Sequence, residues 1–195
     1  MPSGRPDRER PRATSTDPDD PFVPIFRERS EIEMFAARLR EIASQVERGE
    51  RVPAKQIVEG LEVHRRFLVG VHHRREEMIA RAVGSSAGPG VAAAFGRCAR
   101  EHPRAVQFET DIASLVDARP FGPTQLKRVA ALFAREADRI LEHDRDEDEN
   151  IHRILHPSIA PAVRATLVQG ARAIAGEAAA AEARLTSWTS HSNAA

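Results

Sequence analysis

The sequence predicts an all-α protein, an up-down-up-down four-helix bundle with an additional C-terminal helix, on three observations. Apolar residues make up 41% of the chain and recur at intervals of three and four, the spacing of an amphipathic helix. Aromatic residues are only 5% and Tyr is absent, a poor supply for a sheet, which favours β-branched and aromatic side chains. Four long periodic stretches are joined by short Gly- and Pro-bearing breaks, and short connections make sequential helices antiparallel neighbours.

Residues 1–22 are rich in Pro, Arg and Asp, offer almost nothing to bury, and read as a disordered arm. The bundle is expected over 23–157. Its first helix runs from about Phe26 to Arg48 on the stripe Ile32, Phe35, Leu39, Ile42 and Val46, with Gly49 and Pro53 bracketing the turn. The second runs from about Ala54 to Val83 with Ile57, Leu61, His64, Leu68, His72, Glu76 and Ile79 on one face, and the Gly- and Pro-bearing stretch 84–90 breaks it. The third, from about Val91 to Asp117, turns Phe95, Cys98, His102, Val106, Ile112 and Leu115 inward. Pro103 either bends it beside His102 or marks its start. The fourth runs from about Thr124 to Leu155 through Leu126, Val129, Leu132, Ile140, His143, Glu147 and Ile151, and stops at His156-Pro157. Over 158–188 an Ala-rich helix, from about Pro161 to Leu185, packs across the bundle on Val163, Leu167, Ile174 and Leu185, with Trp188 just beyond. Residues 189–195 form a disordered tail.

Composition narrows the function. A net charge of zero gives no electrostatic case for nucleic acid or an acidic membrane. No apolar run approaches the roughly 20 residues of a membrane span, and the N-terminus has no signal-peptide core. The one cysteine, Cys98, cannot form an internal disulfide. A cytoplasmic protein is expected. The basic residues are nearly all Arg, with Lys only at Lys55 and Lys127, as in a GC-rich bacterial gene.

Chemistry concentrates on the core stripes. His72 and Glu76 stand one turn apart on one helix face, and the pattern returns as His143 and Glu147. His102 lies between them in sequence. Positions 72 and 102 are equidistant from the middle of the second turn, so their side chains sit at the same height, and His143 falls within about a turn of it. Imidazole and carboxylate buried together are costly unless paired or bound to a cation. These donors suit iron better than the closed sites of structural zinc. His72, Glu76, His102, His143 and Glu147 are therefore the expected metal ligands.

These residues resemble the hemerythrin family, specifically the bacterial hemerythrin-like HHE cation-binding domains. The carriers are His72-His73-Arg-Arg-Glu76-Glu77, Glu101-His102, and His143 with Glu147, and the resemblance covers about residues 26–157. It implies a non-haem diiron centre bridged by Glu76 and Glu147, with His72, His102 and His143 as terminal ligands. The implied uses are binding or sensing dioxygen, nitric oxide or redox state, or handling iron. The same centre with an open coordination position implies an alternative, a non-haem iron enzyme of peroxidase, catalase-like or NO-processing activity. A degenerate bundle serving as a structural or partner-binding module is a third reading. The chain departs from the family on its first helix, where Arg29, which cannot ligate a cation, stands in the histidine's place. Glu28 or Glu33 swings in, a water fills the gap, or one metal position is incomplete. Val106 likewise offers no ligand one turn beyond His102.

Other candidates have plainer readings. His64, two turns before His72, is a core group or an outer hydrogen-bond partner. His73 points outward. Cys98 is a small buried hydrophobe. Glu77 and Asp148 are placed to accept hydrogen bonds from ligand imidazoles. Glu149 and His152 form a single Glu-x-x-His where a ferritin-like site needs two, and the acidic run 144–149 lacks the Gly and final Glu of a calcium-binding loop.

Overall fold

The computed structural model describes residues 22–84, 88–118, 121–152 and 159–190, with the side chain of His152 excepted. The predicted arm up to residue 21, the tail beyond residue 190 and the stop at His156-Pro157 lie outside the described residues. Within them the chain is all helix, with no strand. The elements are α1 (Val23–Glu47), α2 (Ala54–Val63), a π-helical segment (His64–His72), α3 (His73–Val83), α4 (Gly88–Asp117), α5 (Pro123–Glu147), a second π segment (Asp148–His152), α6 (Pro161–Ala173) and α7 (Ala175–Ser190).

Proline sets three of the starts. Pro24, Pro123 and Pro161 each sit in a first helical turn, where the missing N–H removes no bond and φ is already helical. This is why α1 begins earlier than Phe26. Pro24 opens the helix, and Phe22, assigned by sequence to the arm, is fully buried at its foot. Gly49 follows α1 with φ 76° and Gly84 follows α3 with φ 50°, the backbone that a side chain resists and glycine accepts.

Residues 54–83 form one helical rod, as expected, but its middle is π rather than α. The apolar spacing of Phe67, Leu68 and Val71 fits either form, so the sequence carries no mark of the wider turns. Pro103 neither starts nor ends a helix, because α4 runs through it. Val106 is 52% exposed, against expectation, while Ala105, Phe108 and Ile112 turn inward. Steps of four advance about 40° past a full turn, so a stripe counted 98, 102, 106 rotates off the face; steps of seven from Cys98 reach 105 and 112. The C-terminal helix is two helices, broken at Ile174, and Trp188 belongs to the second.

α5 packs along α1 and against α4; the rod touches α4 and α7, and α6 lies on α3. Two apolar cores result. The larger is centred on Phe35, Leu39, Phe67, Phe108 and Phe133. The smaller contains Phe22, Ile79, Val91, Cys98, Ile151 and Leu167. Trp188 closes the larger core by packing 5.4 Å from the Phe35 ring and donating from Nε1 to the Gln56 carbonyl at 3.1 Å. A Cβ on Gly60 would lie 2.5 Å from the Trp188 ring. Gly60→Ala therefore forces the indole out and destabilises the fold by about 1–3 kcal/mol, measurable by urea unfolding.

Inside the larger core His64 is fully buried between two carboxylates. Its Nδ1 is 3.0 Å from Glu109 and its Nε2 2.9 Å from Glu136, while Arg65 donates to Glu109 and Arg139 to Glu136. Burial opposes the charged forms, but the paired carboxylates still raise the His64 pKa. Burial likewise opposes the Glu136 carboxylate, and hydrogen bonds from Arg139 and His64 outweigh it and hold its pKa at about 2. The Glu136 contribution is complete above its ordinary value of 4.5 and is lost as pH falls toward 2. The His64 contribution is complete below its ordinary value of 6.5 and is lost as pH rises through the raised folded value. The melting-temperature difference between wild type and Glu136→Gln is expected to be largest between those two pH values and to shrink on either side. At its maximum the variant loses about 3 kcal/mol, since two buried cations lose their counter-charge.

Candidate metal centre

Between the two apolar cores lies a layer of histidine and glutamate. The rod supplies His72, the last residue of its π segment, and then His73 and Glu76 from α3; α4 supplies His102, and α5 His143 and Glu147. Glu76 is the hub. Its Oε2 is 2.7 Å from His102 Nε2, and its Oε1 is 2.5 Å from His72 Nε2 and 3.3 Å from His143 Nε2. Glu147 Oε2 is 3.6 Å from His72 Nε2 and 4.0 Å from His143 Nε2. All five residues expected from sequence are brought together.

The structure adds a sixth and corrects its placement. His73 is 3% exposed, not outward. Its ring stacks on His102 with centroids 4.1 Å apart and planes 8° apart. On an ideal helix His73 stands about 100° from His72, which led sequence reasoning to turn it to solvent. Here the rod is enclosed over a broad arc, and His72, His73, Arg75 and Glu76 are all buried. The available signal was the adjacent His72-His73 pair beside a histidine on the next helix.

Two donor groups follow, each with one atom per residue and all atoms within 4.8 Å of one another: His73, Glu76, His102 and His143; and His72, Glu76, His143 and Glu147. Either could hold a metal ion, and Glu76 and His143 belong to both. The nitrogen and oxygen donors fit a first-row divalent metal.

The electrostatics favour a cation. Burial disfavours the His72 imidazolium, yet Glu76 and Glu147 overcome that and raise its pKa to about 9. Burial would also raise the pKa of Glu76, but His72, with hydrogen bonds from His102 and His143, drives it well below the usual carboxylate range. Glu147 goes the other way, raised well above that range by burial and by the Glu76 charge. His73 is kept neutral, its pKa pushed down to about 2 by burial and the neighbouring imidazoles. Neither oxygen of Glu147, nor Nε2 of His73, has a hydrogen-bond partner of normal geometry among the described residues, while Nε2 of His72 faces Glu76. Orphaned buried polar atoms carry their full desolvation cost. A cation held by those atoms removes it.

The remaining candidates sit around this layer. Arg29 is not a ligand; it pairs with Asp148 at 2.8 Å and Asp144 at 3.4 Å. Asp148 thus pairs with Arg29. Glu28 is buried and reaches His72 Nδ1 at 3.3 Å, while Glu33 is exposed. Glu77 Oε1 lies 3.6 Å from His102 Nδ1 on the exposed side. Cys98 is buried outside both donor groups, and burial raises its thiol pKa. His64 has its own carboxylates, as described. Glu149 is exposed. Among the described residues no helix is long and apolar enough to cross a membrane.

Comparisons of the chain with protein-family models, with curated proteins and with solved structures find no match.

Glu147→Gln separates stability from binding. The amide reproduces the neutral carboxyl that burial and Glu76 favour, so in chelator the variant is expected to melt no lower than wild type. Added divalent metal should stabilise it less. A tenfold loss of affinity removes about 1.4 kcal/mol of that stabilisation, or about 3–5 °C, read from thermal melts with and without metal.

Proposed function

We propose that this chain is a hemerythrin-like non-haem iron protein, an up-down-up-down four-helix bundle crossed by the α6–α7 pair, which binds dioxygen or nitric oxide as a sensor or handles iron. One observation carries the metal reading. Glu28, Glu109, Glu136 and Asp148 are buried carboxylates that each meet a guanidinium, from Arg75, Arg65, Arg139 and Arg29 respectively. Glu76 and Glu147, the two at the histidine layer, meet none among the described residues. A metal cation would take over the counter-charge that a protonated His72 and a neutral Glu147 otherwise provide.

Glu76, whose two oxygens face different imidazoles, belongs to both donor groups and would contribute to holding metal in either. His73 and His102 would hold one metal and His72 and Glu147 the other, with His143 within reach of both. His73 answers the departure at Arg29: the helix-1 histidine is absent, and a histidine of the second helix restores the donor count. Bound there, iron supplies one-electron redox chemistry and affinity for small diatomic ligands. The protein's own part is to orient the imidazoles and exclude bulk water.

A cleft of about 390 Å³ between α4 and α5, lined among others by Arg97, Glu101, Asp146 and His143, reaches the edge of this layer. It supports the second reading, an enzyme acting on a small oxidant such as peroxide. In that case Glu147→Ala lowers peroxidase turnover; an unaltered rate removes the enzyme reading and leaves the binding one.

The deciding measurement is elemental analysis with visible absorption after expression in iron-rich medium. About two irons per chain with an oxo-bridge band are expected, falling to about one in His73→Ala. Absence of bound metal rejects the proposal.

A further inference from the structure

We infer that Glu28, on α1, is a positioning residue for the metal centre: its carboxylate accepts a hydrogen bond from Nδ1–H of His72, which fixes Nε2 as the free lone pair facing the metal. The inference rests on the metal reading above and adds the role of a residue outside both donor groups. Glu28 Oε2 lies 3.3 Å from His72 Nδ1, and the opposite nitrogen, Nε2, is the one that meets Glu76 and Glu147. A neutral imidazole carries one proton on two nitrogens, and a carboxylate at one of them settles which is protonated. It also stops the ring from turning and makes the free nitrogen a better donor.

Glu28 is itself held. Its other oxygen meets Arg75, one residue before Glu76 on α3, and both side chains are buried. Arg75 neutralises Glu28, so the carboxylate adds no uncompensated charge to the layer. The chain of contacts therefore runs from Arg75 through Glu28 and His72 to the metal position.

The other outward nitrogens are served less well. His102 Nδ1 is 3.6 Å from Glu77 and His143 Nδ1 is 3.8 Å from Glu101, both beyond hydrogen-bond reach. Glu77 is 53% exposed and Glu101 32%. Of these three imidazoles, His72 has the buried, hydrogen-bonded acceptor. Helix α1, which offers a guanidinium where the resembling family has a ligand, still shapes the centre through the preceding residue.

The test is titration of the metal-free full chain with cobalt(II), followed by its visible d–d bands, which report ligand geometry. Glu28→Ala is expected to weaken cobalt binding roughly 10- to 100-fold and to shift the bands. Glu28→Gln, whose amide oxygen still accepts from Nδ1–H, is expected to recover most of the affinity and the wild-type band positions. Glu101→Gln serves as the control and should leave both unchanged. If Glu28→Ala leaves Arg75 unpaired and fails to fold, Glu28→Leu with Arg75→Leu removes both charges and should show the same loss. Wild-type affinity and bands in a folded variant lacking the Glu28 carboxyl, even with a lowered melting temperature, overturn the positioning role and leave the metal reading standing. Failure of the wild-type chain to bind cobalt or iron overturns both.

Discussion

Two carboxylates in one buried layer, with no guanidinium among the described residues between them, is the constraint around which the rest of this molecule is arranged. Like charges at close range in a medium of low dielectric cannot both ionise without a partner. The chain responds in the absence of a cation by holding Glu147 neutral and keeping a proton on His72. That is a charged core at rest, in which the His72 proton faces the Glu76 carboxylate. A divalent ion supplies more charge at a shorter range and frees the proton, so binding and proton release are coupled.

The same chain contains a control for this reasoning. His64 and His72 begin and end one π segment; His64 stands between carboxylates of α4 and α5, and His72 between Glu28 of α1 and Glu76 one turn along its own rod. Around His64 the charge is closed by Arg65 and Arg139, so the layer is a set of buried ion pairs that tie the rod to α4 and α5. Around His72 an arginine is spent on Glu28, and among the described residues none reaches Glu76 or Glu147. Two histidines in similar settings thus differ in how the carboxylates around them are countered, and the arrangement of arginines makes the difference. An imidazole flanked by acids is not by itself a metal site; an imidazole flanked by acids that lack any other counter-ion is a much stronger candidate.

Most of this was legible in sequence where the helical period alone carries the information. The stripe Ile32, Phe35, Leu39, Ile42 and Val46 is buried in full, and the rod ends at the residues expected from its flanking Pro and Gly. His72, Glu76, His143 and Glu147 were readable because each pair repeats one turn apart on a core-facing stripe. The rest depends on things a period does not encode. His73 was missed because its burial comes from α4 lying over a broad arc of the rod. Val106 was misplaced because a stripe counted by fours drifts off its face. The π turns left no trace in the residue pattern, and the break at Ile174 reflects two separate docking sites, on α3 and on α1 with the rod.

The position of the layer between two apolar cores bears on what it can bind. Phe22, Ile79, Val91 and Leu167 close one side and Phe67, Leu68 and Phe133 the other, so water has little access along the helix axes. Approach is from the flank, where His102 is only half-buried and the α4–α5 cleft reaches His143. Dry walls strengthen every electrostatic interaction inside them, which favours retention of a bound cation over exchange. A small neutral ligand crosses such a flank more readily than a hydrated anion, which must shed its water and pass Glu101 and Glu142. On the proposed reading, entry along this flank would favour a small neutral ligand over a charged one.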